Sequence, residues 1–334
     1  MKVLFVGGTG IISSGAAALA VEKGYQLWLL NRGTRLEHIP DGAKSLIADY
    51  RNEEETTQAL GDHRFDAVID FITYVPEQME QAIRTFSGRT EQYIFISSAS
   101  AYEKPLKHYL LTEETPLYND YWPYANNKIL CEKKLRQAIE AGFPGVIVRP
   151  SLTYSDFNML TALNSRKHPY TLLDRMLKGK KIVVHGDGLS LWVITHTSDF
   201  AKGIVGLLGN PASIGEAFHI TSDEVLTWDE IYRAIGRALG VEAKLVHIAS
   251  DFIGAYNPIY RASLLGDHAN SVVFDNSKIK RFVPDFHCTL PFAEGAKQCV
   301  AWFDVHPEKK TIEDEWNNEM DQLIDLYEER LNFC

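Results

Sequence analysis

Short apolar runs alternate with amphipathic stretches along the first 150 residues of the chain. The apolar runs cover residues 2–6, 26–30, 45–48, 67–71, 92–96 and 145–148. The stretches between them have helical patterns at residues 14–23, 53–60, 76–86 and 124–141. Strands that alternate with helices in this way are typical of a parallel sheet covered by helices on both faces. The pattern therefore predicts an α/β fold with a doubly wound sheet.

The alternation becomes irregular after Pro150. Strands are predicted at residues 182–185, 192–196 and 217–220, and helices at 172–178, 198–208, from Thr227 to Leu239, and from about Phe292 and Ile312. Thr227 and Glu230 have the spacing of a capping box at a helix start. We therefore expect a first domain that consists of residues 1–150 and is joined by a later segment at about 193–222. A smaller C-terminal α/β lobe then consists of 151–192 and 223–334.

A glycine-rich turn lies between the first predicted strand and the first predicted helix. Its sequence, residues 7–13, is Gly-Gly-Thr-Gly-Ile-Ile-Ser. Glycines permit a tight turn and a close approach of backbone N–H groups to an anion, and the helix N-terminus adds its positive end. Such a turn usually holds the pyrophosphate of a dinucleotide in a Rossmann domain. Ser13 occupies the position of the third glycine, so we expect a slightly shifted helix but retained binding.

The end of the second strand bears on the choice of dinucleotide. A carboxylate there would bind the ribose 2′-OH of NAD, whereas an arginine accommodates the 2′-phosphate of NADP. This chain has Asn31 and Arg32, followed by Arg35, which favours NADP over NAD. Arg32 could instead stack on the adenine, in which case either cofactor is accepted. Asp49, after the third strand, is placed to accept a hydrogen bond from the adenine amine.

Ser98, Tyr124 and Lys128 form the candidate catalytic set. A phenol with a pKa near 10 is a poor base at neutral pH. Tyr124 and Lys128 have i, i+4 spacing and share one helix face. We expect the ammonium charge, together with a nicotinamide, to lower the pKa of Tyr124 toward a working value. Ser98, after the fifth predicted strand, can hold the substrate oxygen while Tyr124 moves a proton.

Composition excludes several other classes of protein. The formal net charge of −10 and the absence of a dense basic run argue against nucleic acid as the main partner. No apolar run approaches the roughly 20 residues that span a bilayer, and the N-terminus lacks the features of a signal peptide. The four cysteines, Cys131, Cys288, Cys299 and Cys334, have neither metal-like spacing nor a paired framework. We therefore expect a reduced, cytoplasmic protein without a membrane partner or a metal site.

Several motifs resemble those of the extended, or atypical, short-chain dehydrogenase/reductase family, in its NAD-dependent epimerase/dehydratase branch. They are VGGTGIIS at 6–13, ISSASAY at 96–102, TEETPL at 112–117, YANNK at 124–128, VRP at 148–150 and GDG…SDFA at 186–201. The resemblance covers nearly the full length. It implies a dinucleotide site in the first domain, a substrate-binding C-terminal lobe and, as a family-level expectation, a homodimer formed through a helix face of the first domain.

The resemblance also implies roles for individual residues. Ser98 would orient the substrate, with Ser100 as the fallback, Tyr124 would be the acid and base, and Lys128 would hold the nicotinamide ribose. The cofactor would contact Gly7, Thr9, Gly10, Ile11, Ile12, Asn31, Arg32, Asp49, Tyr50, Phe71, Ile72, Ser97, Lys128 and Pro150.

The substrate is less well defined than the cofactor. Nucleotide-sugar enzymes of this family usually have an arginine shortly after Gly-Asp-Gly, where this chain has Trp192. Residues 151–155 also replace the usual Asn and Tyr-Gly pair. Ser100, Tyr154, Trp192 and Arg261 are the substrate candidates. We expect hydride transfer at a carbinol carbon of a sugar or a sugar-like substrate. An NADP-dependent reductase of a small non-nucleotide carbonyl compound is one alternative, and a non-catalytic dinucleotide-sensing or RNA-binding relative is another.

Overall fold

The computed structural model describes residues 1–331, of which only the Glu37 side chain is left out; Cys334 lies outside this range. The strands are β1 (Lys2–Val6), β2 (Gln26–Asn31), β3 (Lys44–Ile47), β4 (Ala67–Asp70), β5 (Tyr93–Ile96), β6 (Leu110–Leu111), β7 (Gly145–Pro150), β8 (Leu152–Tyr154), β9 (Lys181–His185), β10 (Leu191–Trp192), β11 (Ile194–His196), β12 (Ala217–Ile220), β13 (Leu226–Thr227), β14 (Lys244–Ile248) and β15 (Val273–Phe274).

The α-helices are α1 (Ile11–Glu22), α2 (Glu53–Leu60), α3 (Pro76–Phe86), α4 (Pro123–Glu140), α5 (Tyr170–Leu177), α6 (Thr197–Gly206), α7 (Trp228–Ala238), α8 (Ser250–Tyr256), α9 (Pro258–Ser263), α10 (Ser277–Phe282), α11 (Phe292–Val305) and α12 (Asp314–Leu331). A π-helical turn at Leu264–His268 continues α9. Short 3₁₀ turns lie at Leu36–His38, Ala99–Ala101, Pro211–Ser213 and Pro307–Lys309. None of the helices within residues 1–331 is long and apolar enough to cross a membrane.

Seven strands form the central sheet, in the order β12-β7-β5-β4-β1-β2-β3, and each neighbouring pair is parallel. The chain runs from β1 outward through β2 to β3, and then crosses back to β4 on the other side of β1. Successive residues of a strand face opposite sides of the sheet. Val3 and Phe5 accordingly pack in one apolar cluster, and Leu4 and Val6 in another. The predicted doubly wound α/β fold is confirmed.

The reversal of strand order between β1 and β4 positions the site. Ligands of open α/β sheets bind outside the carboxyl ends of the strands at such a switch point. Gly7 follows β1 and Phe71 follows β4 at this edge of the sheet. The glycine-rich turn therefore lies where the topology opens a crevice.

Helix α1 begins at Ile11, three residues before its predicted start. Ser13 is fully buried, and its hydroxyl accepts a hydrogen bond from the Gly10 N–H at 2.8 Å and donates one to the Gly7 carbonyl at 3.0 Å. Gly15 provides the close approach to α6, because a Cβ there would lie 2.6 Å from the Thr197 carbonyl oxygen. Ser13 thus stabilises the turn from inside.

The prediction of one strand at residues 192–196 is wrong. Leu191–Trp192 pairs antiparallel with β13, whereas Ile194–His196 pairs parallel with β8. Val193, which is fully buried, separates the two short strands. The apolar run reads as one strand because all of its residues are buried, but the backbone turns to a new partner at Val193. The chain joins the central sheet again only at β12.

Candidate active site

Two adjoining cavities lie at the carboxyl ends of the central strands. The first has a volume of about 520 Å³ and the second of about 530 Å³, and both are lined by Gly7, Gly10, Ile72 and Tyr74. The predicted cofactor residues that line the first cavity are Gly7, Gly10, Ile11, Ile12, Phe71, Ile72, Ser97, Lys128 and Pro150. Those that line the second are Gly7, Thr9, Gly10, Asn31, Arg32, Asp49, Tyr50 and Ile72. Ser98, Tyr124 and Lys128 all line the first cavity.

The turn at Gly7 has the shape of a phosphate cradle. Gly7 has a φ of +83°, and a Cβ at this position would overlap the Ile72 side chain. Ile11 and Ile12, the first two residues of α1, line the first cavity. Free N–H groups and the helix dipole at such an end favour a bound anion. The residues present therefore fit a dinucleotide.

The second cavity ends at a cluster of charged side chains. Asn31 accepts a hydrogen bond from the Gly33 N–H and donates one to the Ser45 hydroxyl. The Asp49 carboxylate binds the Arg51 guanidinium through two hydrogen bonds, of 3.0 and 2.6 Å, and this bonding lowers the pKa of Asp49 to about 2. Arg51 is thus the cation that binds Asp49 directly, and Arg32 and Arg35 also line this cavity.

Asp70, at the end of β4, organises the loop beneath the cavities. Its buried carboxylate accepts hydrogen bonds from the hydroxyls of Tyr50, Tyr93 and Thr73 at 2.8–3.0 Å. It also accepts from the Ile72 and Thr73 N–H groups. Sequence reasoning missed this role because Asp70 looked like one residue of a buried strand. The network fixes the backbone at Ile72, which faces the Gly7 turn.

Lys128 is buried beneath the first cavity. Its ammonium donates to the Thr73 and Ile96 carbonyl oxygens, both at 2.7 Å, and lies 5.9 Å from the centre of the Tyr124 ring. Burial lowers the pKa of Lys128 to about 8. The ammonium is therefore directed at the backbone of two strand ends next to Tyr124.

The protein's own side chains do not lower the pKa of Tyr124, so the lowering expected from Lys128 together with a bound nicotinamide stays a prediction. Burial raises the pKa of Tyr124 above its ordinary value, and Tyr74 and Asp267 raise it further, while the Ser98 hydroxyl opposes this shift. The Lys128 ammonium donates its hydrogen bonds to carbonyl oxygens and not to the phenol. Without a bound cofactor, Tyr124 is a neutral phenol.

The structure brings two of the four substrate candidates to the first cavity. Ser100 and Trp192 line it, and the Ser100 hydroxyl lies 2.8 Å from the Ser98 hydroxyl. Tyr154 does not line it, because this side chain is 1% exposed and packs between His196 and Phe292. Arg261 is exposed on α9 and packs against Gly254 instead. The assignment of these two residues to the substrate site is therefore corrected: Tyr154 is a core residue, and Arg261 is a surface residue.

Several cavity residues escaped the sequence analysis. Trp122, Arg166, Asp267 and His268 line the first cavity, together with the predicted set. Arg166 is an exposed cation in this lining. No motif marks these positions, so only the tertiary structure reveals them.

Neither metal nor disulfide chemistry is apparent in residues 1–331. This part of the chain contains no group of three His, Cys, Asp or Glu side chains that could hold a metal ion. Cys131, Cys288 and Cys299 are free thiols, and burial raises the pKa of each to about 12. The three thiols are therefore protonated and poorly nucleophilic at neutral pH.

Comparison with known proteins is consistent with this geometry. The model of the NAD-dependent epimerase/dehydratase family matches residues 3–221. The chain is 26% identical, over 77% of its length, to a protein named chloroplast stem-loop binding protein of 41 kDa b from Arabidopsis thaliana. It is 30% identical, over 42% of its length, to a UDP-glucose 4-epimerase of Lactobacillus helveticus. The matches span 66% and 48% of those two relatives' own lengths.

A solved structure with the same fold is that of UDP-glucose 4-epimerase from Bifidobacterium longum in complex with NAD⁺ and UDP. Its TM-score is 0.72 at 21% identity, over 92% of this chain and 100% of that one. At this identity the similarity establishes the fold alone.

Proposed function

The chain is an enzyme of the NAD-dependent epimerase/dehydratase family, and we propose that it transfers a hydride at a carbinol carbon of a sugar-like substrate. Tyr124 is the acid and base of this reaction. One observation carries the proposal: Ser98, Tyr124 and Lys128 line the same cavity as the Gly7 turn. A dinucleotide cradle and a proton-transfer group that share one cavity suit a coupled transfer of hydride and proton.

The side chains divide the work as follows. The nicotinamide, when bound, accepts or supplies the hydride. Ser98 holds the substrate oxygen by a hydrogen bond, and Tyr124 takes the hydroxyl proton as the carbinol becomes a carbonyl. Lys128 places a positive charge near Tyr124. This charge favours the phenolate form of Tyr124, which is the form that accepts the proton from the substrate hydroxyl. In the reductive direction the neutral phenol of Tyr124, which burial favours, returns the proton to the carbonyl oxygen.

A panel of substrates tests this function. Purified protein is mixed with NAD or NADP and then with nucleotide sugars, free sugars or small ketones. We expect a change in the absorbance of the reduced nicotinamide, or an altered sugar detected by NMR, with at least one sugar. Retention of the cofactor during purification distinguishes an epimerase reaction from a net reduction. A dinucleotide that survives dialysis indicates that the hydride returns to the substrate, as in an epimerase, whereas a simple reductase must exchange its cofactor. Turnover of ketones alone would favour the reductase.

NADP is the proposed cofactor, with NAD as the alternative. Arg32 and Arg35 line the cavity at the end of β2, where the asparagine at position 31 leaves no carboxylate to repel a phosphate. Similar solved structures contain NAD, so the preference has to be measured. Titration of the protein with each dinucleotide gives the two affinities directly. Tighter binding of NAD would overturn the preference.

RNA binding is a second candidate function, because the stem-loop binding protein matches more of this chain than the epimerase of Lactobacillus does. The net charge of −10 disfavours it, since RNA affinity depends on neutralising phosphates. A fluorescence polarisation titration with an RNA stem-loop, repeated at rising salt, decides the matter. Salt-sensitive binding at submicromolar RNA would support this alternative.

The homodimer and the cytoplasmic location also remain predictions. Light scattering on the purified protein measures the oligomeric state, and cell fractionation measures the compartment.

A further inference from the structure

Asp267 and Lys104 form a buried ion pair in the wall of the first cavity, away from the glycine-rich turn. The Lys104 side chain is 0% exposed and that of Asp267 12% exposed, and the pair distance is 3.4 Å. This distance exceeds the 2.7–2.9 Å or so of a charge-assisted hydrogen bond. Asp267 lines the cavity, whereas Lys104 lies behind it. The carboxylate therefore presents a face to whatever fills the cavity.

The hydrogen-bonding capacity of this wall is largely unused. The Lys104 ammonium, the Trp192 indole N–H and the His268 Nδ1 are buried and have no hydrogen-bond partner among residues 1–331. Within residues 1–331, the ion pairs of the Asp267 carboxylate are those with Lys104 at 3.4 Å and with the His268 ring at 3.8 Å. Buried polar groups are normally satisfied, and an unsatisfied one costs free energy. Trp192, Asp267 and His268 all line the cavity, so its occupant is the remaining source of partners.

The backbone that carries Asp267 is firmly held. The π-helical turn at Leu264–His268 projects this residue, and such turns occur frequently at functional sites. The His268 carbonyl accepts hydrogen bonds from the Trp228 and His185 side chains, each at 3.0 Å. The turn is thus anchored from the C-terminal half of the chain.

A second anchor ties the turn to the catalytic loop. The Asn119 amide donates to the Gly266 carbonyl at 2.6 Å and to the Ser100 carbonyl at 2.8 Å. A Cβ on Gly266 would lie 2.7 Å from the Trp122 Cβ, so the turn packs directly against the base of this side chain. The position of Asp267 is therefore fixed relative to Ser98 and Tyr124.

On the basis of the proposed function, we propose that Asp267 is a specificity-determining residue that binds the hydroxyl groups of a neutral, polyhydroxylated ring. The carboxylate accepts hydrogen bonds from hydroxyl groups, and the Trp192 N–H donates one. Trp122 and Trp192, which both line the cavity, supply apolar surface that contacts the C–H groups of a sugar ring. Lys104 compensates the charge of Asp267 from behind. A free hexose and a hexose joined to a nucleotide diphosphate both present such a polyhydroxylated ring, and Asp267 would bind this ring in either ligand.

The test measures binding in the absence of turnover. The Tyr124→Phe protein, loaded with its dinucleotide, is titrated calorimetrically with D-glucose and D-galactose, and with cyclohexanol as a ring that lacks the additional hydroxyls. A second arm compares UDP-glucose with UDP, so that the sugar is the only difference. We expect a preference for the hydroxylated ring in at least one arm. Asp267→Leu should reduce this preference about 10- to 100-fold, because a hydrogen bond to a charged group contributes that much affinity.

Two further variants keep folding separate from recognition. Asp267→Leu leaves the Lys104 charge buried and unpaired, which destabilises the protein. Lys104→Met combined with Asp267→Leu removes both charges, and we expect it to fold and still lack the preference. Asp251→Leu, an exposed position on α8, is the matched control and should bind as the parent does.

Each outcome supports or overturns the inference. It is overturned if neither arm shows a preference for the hydroxylated ring, or if the double variant keeps that preference. Hydride transfer by the wild-type protein is measured in parallel. Turnover of a sugar with no effect of Asp267 would refute this inference alone. Binding that depends on Asp267 without any hydride transfer would refute the proposed reaction alone.

Discussion

A fully buried, bidentate ion pair joins Arg149, at the end of β7, to Glu132 on α4. The two hydrogen bonds are 2.9 and 2.7 Å long, and each side chain is 1% exposed. Glu132 lies one helical turn after Lys128, and Arg149 immediately precedes Pro150 in the cavity wall. The pair therefore fixes the helix that carries Tyr124 against the sheet.

Breaking this pair should strongly destabilise the protein. Glu132→Gln or Arg149→Met leaves an unpaired buried charge, and we expect a loss of about 3–5 kcal/mol in the free energy of unfolding. Arg149→Met with Glu132→Leu removes both charges and should recover most of the loss. Urea unfolding measures all three variants. Glu53→Gln, which breaks the exposed pair with Arg84, is the control and should have a much smaller effect. A double variant as unstable as the single ones would contradict this reasoning.

Replacement of Tyr124 by Phe should separate chemistry from cofactor binding. The change removes the proton-transfer hydroxyl and keeps the ring, so we expect kcat to fall by about 10²- to 10⁴-fold. The affinity for the dinucleotide should stay nearly unchanged. Tyr121→Phe, at an exposed tyrosine outside the cavity lining, is the matched control and should remain active. Full activity of the Tyr124→Phe protein would contradict the proposed role of Tyr124 as the acid and base.

Arg32 should contribute more to NADP than to NAD binding. A guanidinium that binds the 2′-phosphate forms charge-assisted hydrogen bonds that NAD cannot form. We expect Arg32→Ala to weaken NADP binding about 10- to 100-fold and to leave the NAD affinity nearly constant. Equilibrium titration of both dinucleotides measures the two effects. Arg64→Ala, at an exposed arginine away from both cavities, is the control. Equal losses for the two dinucleotides would instead indicate stacking on the adenine.

Gly7 should be required for its close approach to Ile72 as well as for its positive φ. Gly7→Ala introduces a Cβ that overlaps the Ile72 side chain, so the turn must shift. Gly24 has a similar φ of +73° but open space around a Cβ. We expect Gly24→Ala to lower stability by about 1 kcal/mol and to leave dinucleotide binding intact. Gly7→Ala should in addition impair that binding. Equal binding by the two variants would argue against a phosphate cradle at Gly7.

Lys128 should make stability depend on pH in a defined direction. Its pKa is about 8 in the folded protein, and about 10.4 in an unfolded chain. Between these values the unfolded chain binds more protons, so this lysine makes the folded state more stable as the pH rises. The contribution is lost as the pH falls through about 8. From pH 7 to pH 9 it should amount to about 1 kcal/mol.

The difference between the wild-type protein and Lys128→Met isolates this contribution. The free thiols of Cys131, Cys288 and Cys299 act in the opposite sense above pH 9, because their pKa values are raised to about 12 in the folded protein. They are present in both proteins and largely cancel. We therefore expect the wild-type protein to gain stability relative to the variant between pH 7 and pH 9 in urea unfolding. A constant difference would show that Lys128 is not perturbed.

The sequence by itself determined the central sheet and the cofactor half of the site. Apolar periodicity encodes buried strands and amphipathic helices locally, so the six central-sheet strands up to Pro150 were predicted to within a residue or two, whereas the short strand β6 was not predicted. The Gly7 turn is a contiguous segment. Tyr124 and Lys128 are four residues apart, so the geometry of one helix places them on the same face. Such features follow from short-range geometry. Their positions around one cavity then follow from the rule that parallel strands end at the same edge.

Only the tertiary structure decided the substrate half of the site and the state of Tyr124. Lys104 and Asp267 are distant in the chain and meet only because the C-terminal half packs on the loop after β5. Tyr154 turned into the core, although Thr153 beside it lines the cavity. The pKa of Tyr124 rises chiefly because the phenol is buried by the surrounding elements. Burial and long-range pairing depend on how the whole chain packs, and no local pattern encodes them.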